Sequence, residues 1–583
     1  MTTTRRDLFK FAGGAAVGAL LSPAPWRLIT DTALWSENWP GIPRPARGEI
    51  SAKFTNCTLC PAGCAVKARC VGAQPVSLAG VAGHPMSRGA LCPFGIAGHH
   101  LPYHPERLRS GPVQRVAEEV ARAMAARQTS EYVAVFDPRP GRTASWTYRR
   151  ALHAIPGGLY IRPAAPWSGA AVNLDAARIV VSFGMPLLDG WGTPGNVVAA
   201  REHFRLIQVE AVESRTAAMA DLWLPVRPGQ ERALAAALAG GTAEGTGIAQ
   251  ELVRQVAGEL ATNGPALVLG PADWPEIAEL NRQCGAAGRT IVARRETPVP
   301  EAWQPGAAET GWSAVEDGSL RVLLIDEGAG GGDYVPWSTI ERKLAPGAAV
   351  VAFTGTPEGY ARHANYALPV AVYPEAVDDI PAAVDSPVAV FRLSASLVAP
   401  PEGLVSATDF VSHLAGIDAA AALRERADAI CAAGRGRVFQ TASGAVTALK
   451  EMKPDDFWKA LSEGGCWLDE PDPKAPPPEL STGAAGFTAS FAIAETRGAG
   501  LVSPLLSKLH EESHLRLGKH EVALHPSSGF RDGDRAALET GCGRILVVVR
   551  RDSSVPPGVV QAAAGADLID LCGAAESARV VRL

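Results

Sequence analysis

The sequence predicts a multidomain α/β protein. A small cysteine-rich unit comes first, two domains built on parallel sheets follow, and a small β-barrel closes the chain. Three observations predict this. Cys57, Cys60, Cys64 and Cys92 fall in the pattern C-x2-C-x3-C-x27-C. Short apolar runs ending in Gly or Asp alternate with helical stretches through the middle of the chain. Beyond a proline-rich segment the pattern turns to short strands. A chain of 583 residues has room for several domains of about 150 residues each, and 47% hydrophobic residues are enough to fill their cores. The net charge of −5 supplies no basic surface, which argues against nucleic acid as a partner.

The first element, residues 1–30, reads as an export signal. Thr4-Arg5-Arg6-Asp7-Leu8-Phe9-Lys10 is a twin-arginine pattern, followed by an apolar, Gly/Ala-rich stretch over residues 11–21. That stretch is too short to span a bilayer, which takes about 20 residues, and it has no polar face. It suits the apolar region of a signal for the twin-arginine route, which carries folded proteins. Ser22-Pro23-Ala24 is a poor cleavage site, with prolines at 23 and 25, so the signal is expected to persist as a possible membrane tether. The expected location is the periplasmic side of the inner membrane. No other segment is long and apolar enough to span a membrane, so further membrane contact is expected through partners.

The cysteine unit is placed at residues 48–108. Three thiolates within eight residues can wrap one face of a metal cluster, and a distant fourth can close the other side. Four thiolates are what a [4Fe–4S] cluster requires. Haem c attachment needs C-x-x-C-H, but Pro61 follows Cys60. Structural zinc usually pairs two C-x2–4-C knuckles, and here the second half is the single Cys92. Zinc, or a set of buried thiols or disulfides, remains the alternative. Cys70 is a spare thiol that blurs the choice of fourth ligand. Cys284, Cys431, Cys466, Cys542 and Cys572 are scattered and read as core thiols. His84, His99, His100 and His104 lie near the fourth cysteine. They either tune a cluster or take up protons, or they are turn and surface residues, which is the expected reading.

From residue 109 the periodicity changes. Residues 113–126 have helical apolar spacing, and Tyr132-Val133-Ala134-Val135-Phe136 is a buried-strand run. Similar runs follow at 177–184, 205–210, 265–270, 321–326 and 348–353. Strands of this kind separated by helices predict parallel sheets covered on both faces. They are assigned to a first α/β domain at 109–300 and a second at 301–470. Pro471-Asp472-Pro473-Lys474-Ala475-Pro476-Pro477-Pro478 reads as a linker. Residues 483–583 read as the barrel, with strands at 489–493, 521–524 and 545–549 and a tight turn at 530–534.

Together these pieces resemble the molybdopterin oxidoreductase superfamily over nearly the whole chain. Gly83-His84-Pro85, Arg88-Gly89, Leu91-Cys92-Pro93-Phe94-Gly95 and Tyr103-His104-Pro105-Glu106-Arg107-Leu108 look like that family's iron–sulfur unit and the exit from it. Ser182-Phe183-Gly184 resembles the strand end where a pterin dinucleotide lies. Ser214-Arg215-Thr216-Ala217 and the 220–229 stretch resemble the segment that holds its guanosine end. His363-Ala364-Asn365-Tyr366-Ala367-Leu368-Pro369 resembles the corresponding loop of the second half. The resemblance implies two Rossmann-like parallel-sheet domains and a double-psi-type β-barrel. It also implies a degenerate pterin site at Gly184, Arg215, Thr216, Asp221, Arg227 and Gly229, with Asp189 a further candidate, although Asp189, Arg215, Asp221 and Arg227 are rather expected to make structural salt bridges.

The departures from the family are equally informative. Phe94 stands where members commonly carry a Lys or Arg between cluster and pterin. Between Asp137 and Asp175 there is no cysteine, and nothing marks Ser145 or Ser168 as a molybdenum ligand. Pro228-Gly229-Gln230-Glu231 replaces the usual Pro-Gly-Thr-Asp. This pattern is most similar to the molybdopterin-like subunit of periplasmic menaquinone reductase (Qrc-type) complexes, and it is related to the corresponding part of alternative complex III. The opening Pro25-Trp26, the 34–44 segment and the 503–516 run look like that branch. The branch implies one [4Fe–4S] cluster and no molybdopterin guanine dinucleotide. It implies three partners: a multihaem cytochrome c, a ferredoxin-like iron–sulfur subunit and a membrane quinone-binding subunit. The expected role is electron transfer or scaffolding in a quinone reductase complex, with no catalytic residue of its own. The alternatives are a catalytic molybdopterin enzyme, of sulfur-compound reductase or formate dehydrogenase type, and a cofactor-free adaptor.

Overall fold

The computed structural model describes residues 48–163, 170–271, 274–328, 335–472 and 520–563 apart from 542, with short pieces elsewhere. The expected signal falls largely outside the described residues, as do the 34–44 segment and the 503–516 run. Among the described residues no helix is long and apolar enough to cross a membrane. The chain divides into two compact units. The first comprises residues 1–51 with 71–74, where the Gly72 amide donates to the Glu49 carbonyl at 2.9 Å. The second comprises residues 52–70 with 75–583 and carries the elements discussed below apart from one end of each of the first three strands.

The strands Ile50–Asn56, Ala65–Val71 and Gln74–Gly80 form a small three-stranded sheet in that order. The central feature is a six-stranded, wholly parallel sheet. Its order is Glu309–Thr310, Gly158–Ile161, Tyr132–Phe136, Leu320–Asp326, Leu344–Thr354, Tyr366–Pro369. Alternate residues of Tyr132–Phe136 serve opposite faces, as strand geometry requires. Val133 and Val135 join the core formed with helices Val113–Ala125 and Thr143–Ala154, while Ala134 and Phe136 join a second core with Trp312 and Ile340. Both faces are covered, which is why the strand reads as an unbroken apolar run.

A second parallel sheet has the order Ala266–Leu269, Ile179–Phe183, Arg205–Val209, Leu222–Leu224. The parallel strands expected from sequence are therefore present, but a boundary at residue 300 does not separate the two sheets. Tyr132–Phe136 pairs with Leu320–Asp326, so the second sheet is an insertion within the first domain. An apolar run shows that a strand is buried without showing which strand lies beside it, and the pairing is settled by tertiary packing. The expected second domain also contains a five-stranded antiparallel sheet, Asp378–Asp379, Ala389–Ser394, Cys466–Asp469, Arg437–Gln440, Ala445–Ala448. Long helical intervals separate these short strands, and the sequence reading passed over them.

At the C-terminus six strands form one mixed sheet, ordered Ala492–Ala494, Val560–Ala563, Glu521–Leu524, Arg544–Arg551, Arg535–Glu539, Arg579–Arg582. The expected turn at 530–534 is present. Gly533 has φ +83°, and the Arg531 amide donates to the Asp534 carboxylate at 2.9 Å.

Candidate metal centre

The cysteine loop runs from the end of Ile50–Asn56 to the start of Ala65–Val71. The Cys57 amide donates to the Cys64 carbonyl at 2.9 Å and draws the loop into a ring. Gly63, at φ +55°, makes the turn that returns the chain to Cys64. A Cβ at this position would come within 2.5 Å of both Arg392 Nη2 and Ile380 Cγ2, so packing excludes a side chain as firmly as the backbone does. Cys92 precedes the short helix Pro93–Ile96, with Pro93 at a position that needs no amide proton. The backbone at Gly95 passes so close to Cys57 that a Cβ there would lie 3.6 Å from its Sγ. Gly190 packs as closely on Cys60: a Cβ there would lie 3.7 Å from that sulfur.

The structure brings the four predicted ligands together. Cys57, Cys64 and Cys60 each lie within electrostatic reach of Cys92, and none of the four is in a disulfide. Cys57 and Cys64 are buried, while Cys60 and Cys92 are half-buried. Burial pushes the thiols of Cys57, Cys60 and Cys64 up, and the neighbouring sulfurs push them further. Backbone hydrogen bonds oppose this. The backbone at Leu59 lowers the Cys57 thiol, and that at Ala62 and Gly63 lowers the Cys60 thiol. Such bonds favour thiolate over thiol.

Two buried arginines hold the other side of the loop. Arg139 donates to the carbonyls of Thr58 at 2.6 Å and Cys60 at 3.2 Å. Arg392 donates to Gly63 at 2.5 Å and Ala62 at 3.0 Å. These cations offset negative charge gathered at the cysteines, as a buried anionic group requires. The donor set therefore fits a [4Fe–4S] cluster: four free thiols on one loop and its flank, with two buried cations beside them. Among the described residues no three His, Cys, Asp or Glu gather closely enough to hold one ion. A cubane places each thiolate on a different iron, so its ligands need not converge on a single point.

Cys70 lies in the core beside Val66, Ala68 and Leu78. His84 is buried, accepts from the Met86 and Ser87 amides on Nδ1, and is held down to about 3 by burial and by Arg392. It stays neutral. His99 and His100 pack ring to ring at 4.0 Å, and His104 accepts from the Glu106 amide.

The pterin-like residues divide between two ends of the second sheet. Gly184, at φ +66°, follows Ile179–Phe183. Arg215 and Thr216 open a short helix capped by Ser214, after Arg205–Val209. Arg227 and Gly229 follow Leu222–Leu224, and the Gly229 amide donates to Glu231 at 2.7 Å. All five thus lie beyond carboxyl ends of strands. Asp221 precedes its strand and lies at the opposite end, paired with Arg201 at 2.6 Å and accepting from the Leu206 amide at 2.8 Å. Beside it a shallow cavity of about 490 Å³ is lined by Arg201, His203 and Arg205. The side chain of Asp189 lies outside the described residues.

The central sheet reverses its strand order between Tyr132–Phe136 and Leu320–Asp326, the position where such sheets bind ligands. Here that crevice holds charges of the protein's own. Arg142 pairs with Asp326 at 2.7 Å, Asp378 at 2.6 Å and Asp137 at 3.1 Å. Ser145 and Tyr160 donate to Asp137 at 2.6 and 2.8 Å, so Ser145 is committed to this network. Ser168 lies outside the described residues. Arg139, Arg142 and Arg392 escaped the sequence reading because isolated arginines far along the chain carry no spacing signal.

No protein-family model matches the chain. It is 28% identical over 275 residues to the molybdopterin-binding-like subunit of menaquinone reductase from Nitratidesulfovibrio vulgaris, across 41% of this chain and 40% of that protein. It is 26% identical over 228 residues to a sulfite dehydrogenase subunit from Allochromatium vinosum, across 33% of this chain and 24% of that protein. The match thus spans less than half the length of either relative. Among solved structures, the fold is similar to that of acetylene hydratase from Pelobacter acetylenicus, with a TM-score of 0.59 at 14% identity, covering 88% of this chain and 93% of that one.

Proposed function

We propose that this chain, a relative of the molybdopterin oxidoreductases, is an iron–sulfur subunit of a periplasmic, membrane-attached quinone reductase complex. It transfers electrons or organises its partners without a molybdenum centre of its own. The observation that carries the reading is the cysteine loop, with four free thiols gathered beside two buried arginines. A [4Fe–4S] cluster supplies the uptake and release of one electron. Cys57, Cys60, Cys64 and Cys92 would bind it. Arg139 and Arg392 shape the loop and balance its charge, and the surrounding apolar core excludes water. Phe94 supports the absence of a pterin partner, since an apolar ring donates no hydrogen bond. The Arg142 network supports it too, since it occupies the crevice of the central sheet.

The similarity to a menaquinone reductase subunit supports a complex with further subunits. The partners proposed are a multihaem cytochrome c, a ferredoxin-like iron–sulfur subunit and a membrane quinone-binding subunit. Export by the twin-arginine route and a double-psi-type barrel at the C-terminus belong to the same proposal. The test is iron, molybdenum and tungsten content of the purified full-length chain. Four irons per chain with neither heavier metal is expected, and stoichiometric molybdenum or tungsten overturns the reading.

One observation favours a second reading, a catalytic molybdopterin enzyme. Among the described residues, the buried polar atoms Ser182 Oγ, Gln208 Oε1 and Thr216 Oγ1 have no hydrogen-bond partner, and they lie toward the carboxyl ends of the second sheet. A ligand held there would satisfy them. Pterin fluorescence after acid oxidation decides between the readings, and a blank result ends the second.

A further inference from the structure

One buried hydroxyl beside the cysteines has no account in the fold. Tyr373 is 3% exposed and packs in the apolar cluster that contains Cys57, Val66 and Leu101. Its ring lies so close to the helical turn after Cys92 that a Cβ on Gly98 would overlap it. Its hydroxyl has no hydrogen-bond partner among the described residues, although tyrosine hydroxyls usually find one when buried. Leaving such a donor unsatisfied costs about 1–3 kcal/mol. Tyr373 shares its cluster with Cys57, whose sulfur lies against Gly95 of the same turn, and Cys64 and Cys92 are within electrostatic reach.

The segment bearing Tyr373 is itself pinned. Arg107 and Glu375 form an ion pair at 2.6 Å with both side chains almost fully buried. Glu375 also accepts from the Val372 amide at 3.3 Å, and the Leu397 amide donates to the Pro374 carbonyl at 2.9 Å. Arg107 belongs to the stretch by which the chain leaves the cysteine unit, so the departing chain fixes the segment that carries the tyrosine.

We propose that Tyr373 donates its phenolic proton as a hydrogen bond to a sulfur of the cluster, and so sets the cluster's reduction potential. The inference rests on the reading that the four cysteines hold a [4Fe–4S] cluster. Hydrogen bonds to the sulfurs are one of the protein's controls over cluster potential. The sulfurs become more negative when the cluster gains an electron, so a donor stabilises the reduced state and raises the potential.

The test is redox titration of the full-length chain, followed by EPR, with dithionite supplying one electron per cluster. Iron and sulfide content are measured on the same samples. Tyr373→Phe removes only the hydroxyl. It is expected to keep the iron and sulfide of the parent while the reduction equilibrium moves about tenfold toward the oxidised form, 59 mV for one electron. An exchangeable-proton coupling seen in the reduced parent by ENDOR is expected to vanish in the variant. A parent without iron overturns the cluster reading itself. A loaded Tyr373→Phe variant with unchanged potential overturns the tuning role and leaves that reading standing. A variant that loses its iron assigns Tyr373 to packing and likewise overturns the tuning role.

Discussion

Arg392 lies in an antiparallel strand more than 300 residues from the cysteines, yet it is fully buried and donates to two carbonyls between Cys60 and Cys64. Burial of a guanidinium among backbone oxygens is costly unless those bonds are made. Arg392→Met removes both bonds and leaves two carbonyls unsatisfied. The expected result is a loss of about 3 kcal/mol in urea denaturation and a fall in bound iron on metal analysis. The cysteines were legible in the sequence because a ligand set confined to one loop leaves its spacing in the chain. Phe94 was legible as a departure from a family pattern. Arg139, Tyr373 and Arg392 were not, because single residues of common types carry no signal until the fold delivers them to the loop. Asp221 belongs to a recognisable stretch, but it precedes its strand, lies at the other end of the sheet and makes a salt bridge with Arg201.

Among the elements, the strand Leu320–Asp326 illustrates what periodicity reveals and what it leaves open. Its apolar run predicted a buried strand, and the fold contains one. Its position between Tyr132–Phe136 and Leu344–Thr354 was not readable, because strand order depends on the rest of the chain. The residue after it, Glu327, is held by the Tyr360 amide at 3.0 Å, while its other oxygen is buried without a partner among the described residues. Burial lifts its carboxyl from 4.5 to about 8. Below pH 4.5 the acid is protonated whether the chain is folded or not, so its burial carries no ionisation cost. As pH rises toward about 8 the unfolded chain releases the proton first, and this contribution to stability is lost. Glu327→Gln is therefore expected to flatten the decline in stability between pH 5 and 8. Urea midpoints measured across that range for parent and variant check it, and parallel curves would show that the carboxyl does not titrate there.

At the scale of the molecule, the inserted second sheet makes the two halves of the central sheet interdependent. A chain ending at residue 300 keeps Tyr132–Phe136 but loses Leu320–Asp326, its neighbour on one side. That truncation exposes a long apolar strand edge of the kind that aggregates. It is expected to show no cooperative thermal transition by circular dichroism, whereas two independent domains would have left the first half folded. The distant clamps on the cysteine loop carry a related consequence, in time rather than in space. All four sulfurs are in the chain once residue 92 has been made, but the side chains that shape and neutralise their pocket arrive only with residues 139, 373 and 392. A nascent chain thus displays the thiols long before it can shelter what they bind. On the proposed reading, maturation is tied to completion of the fold, and a chain halted midway would have no finished seat for a cluster.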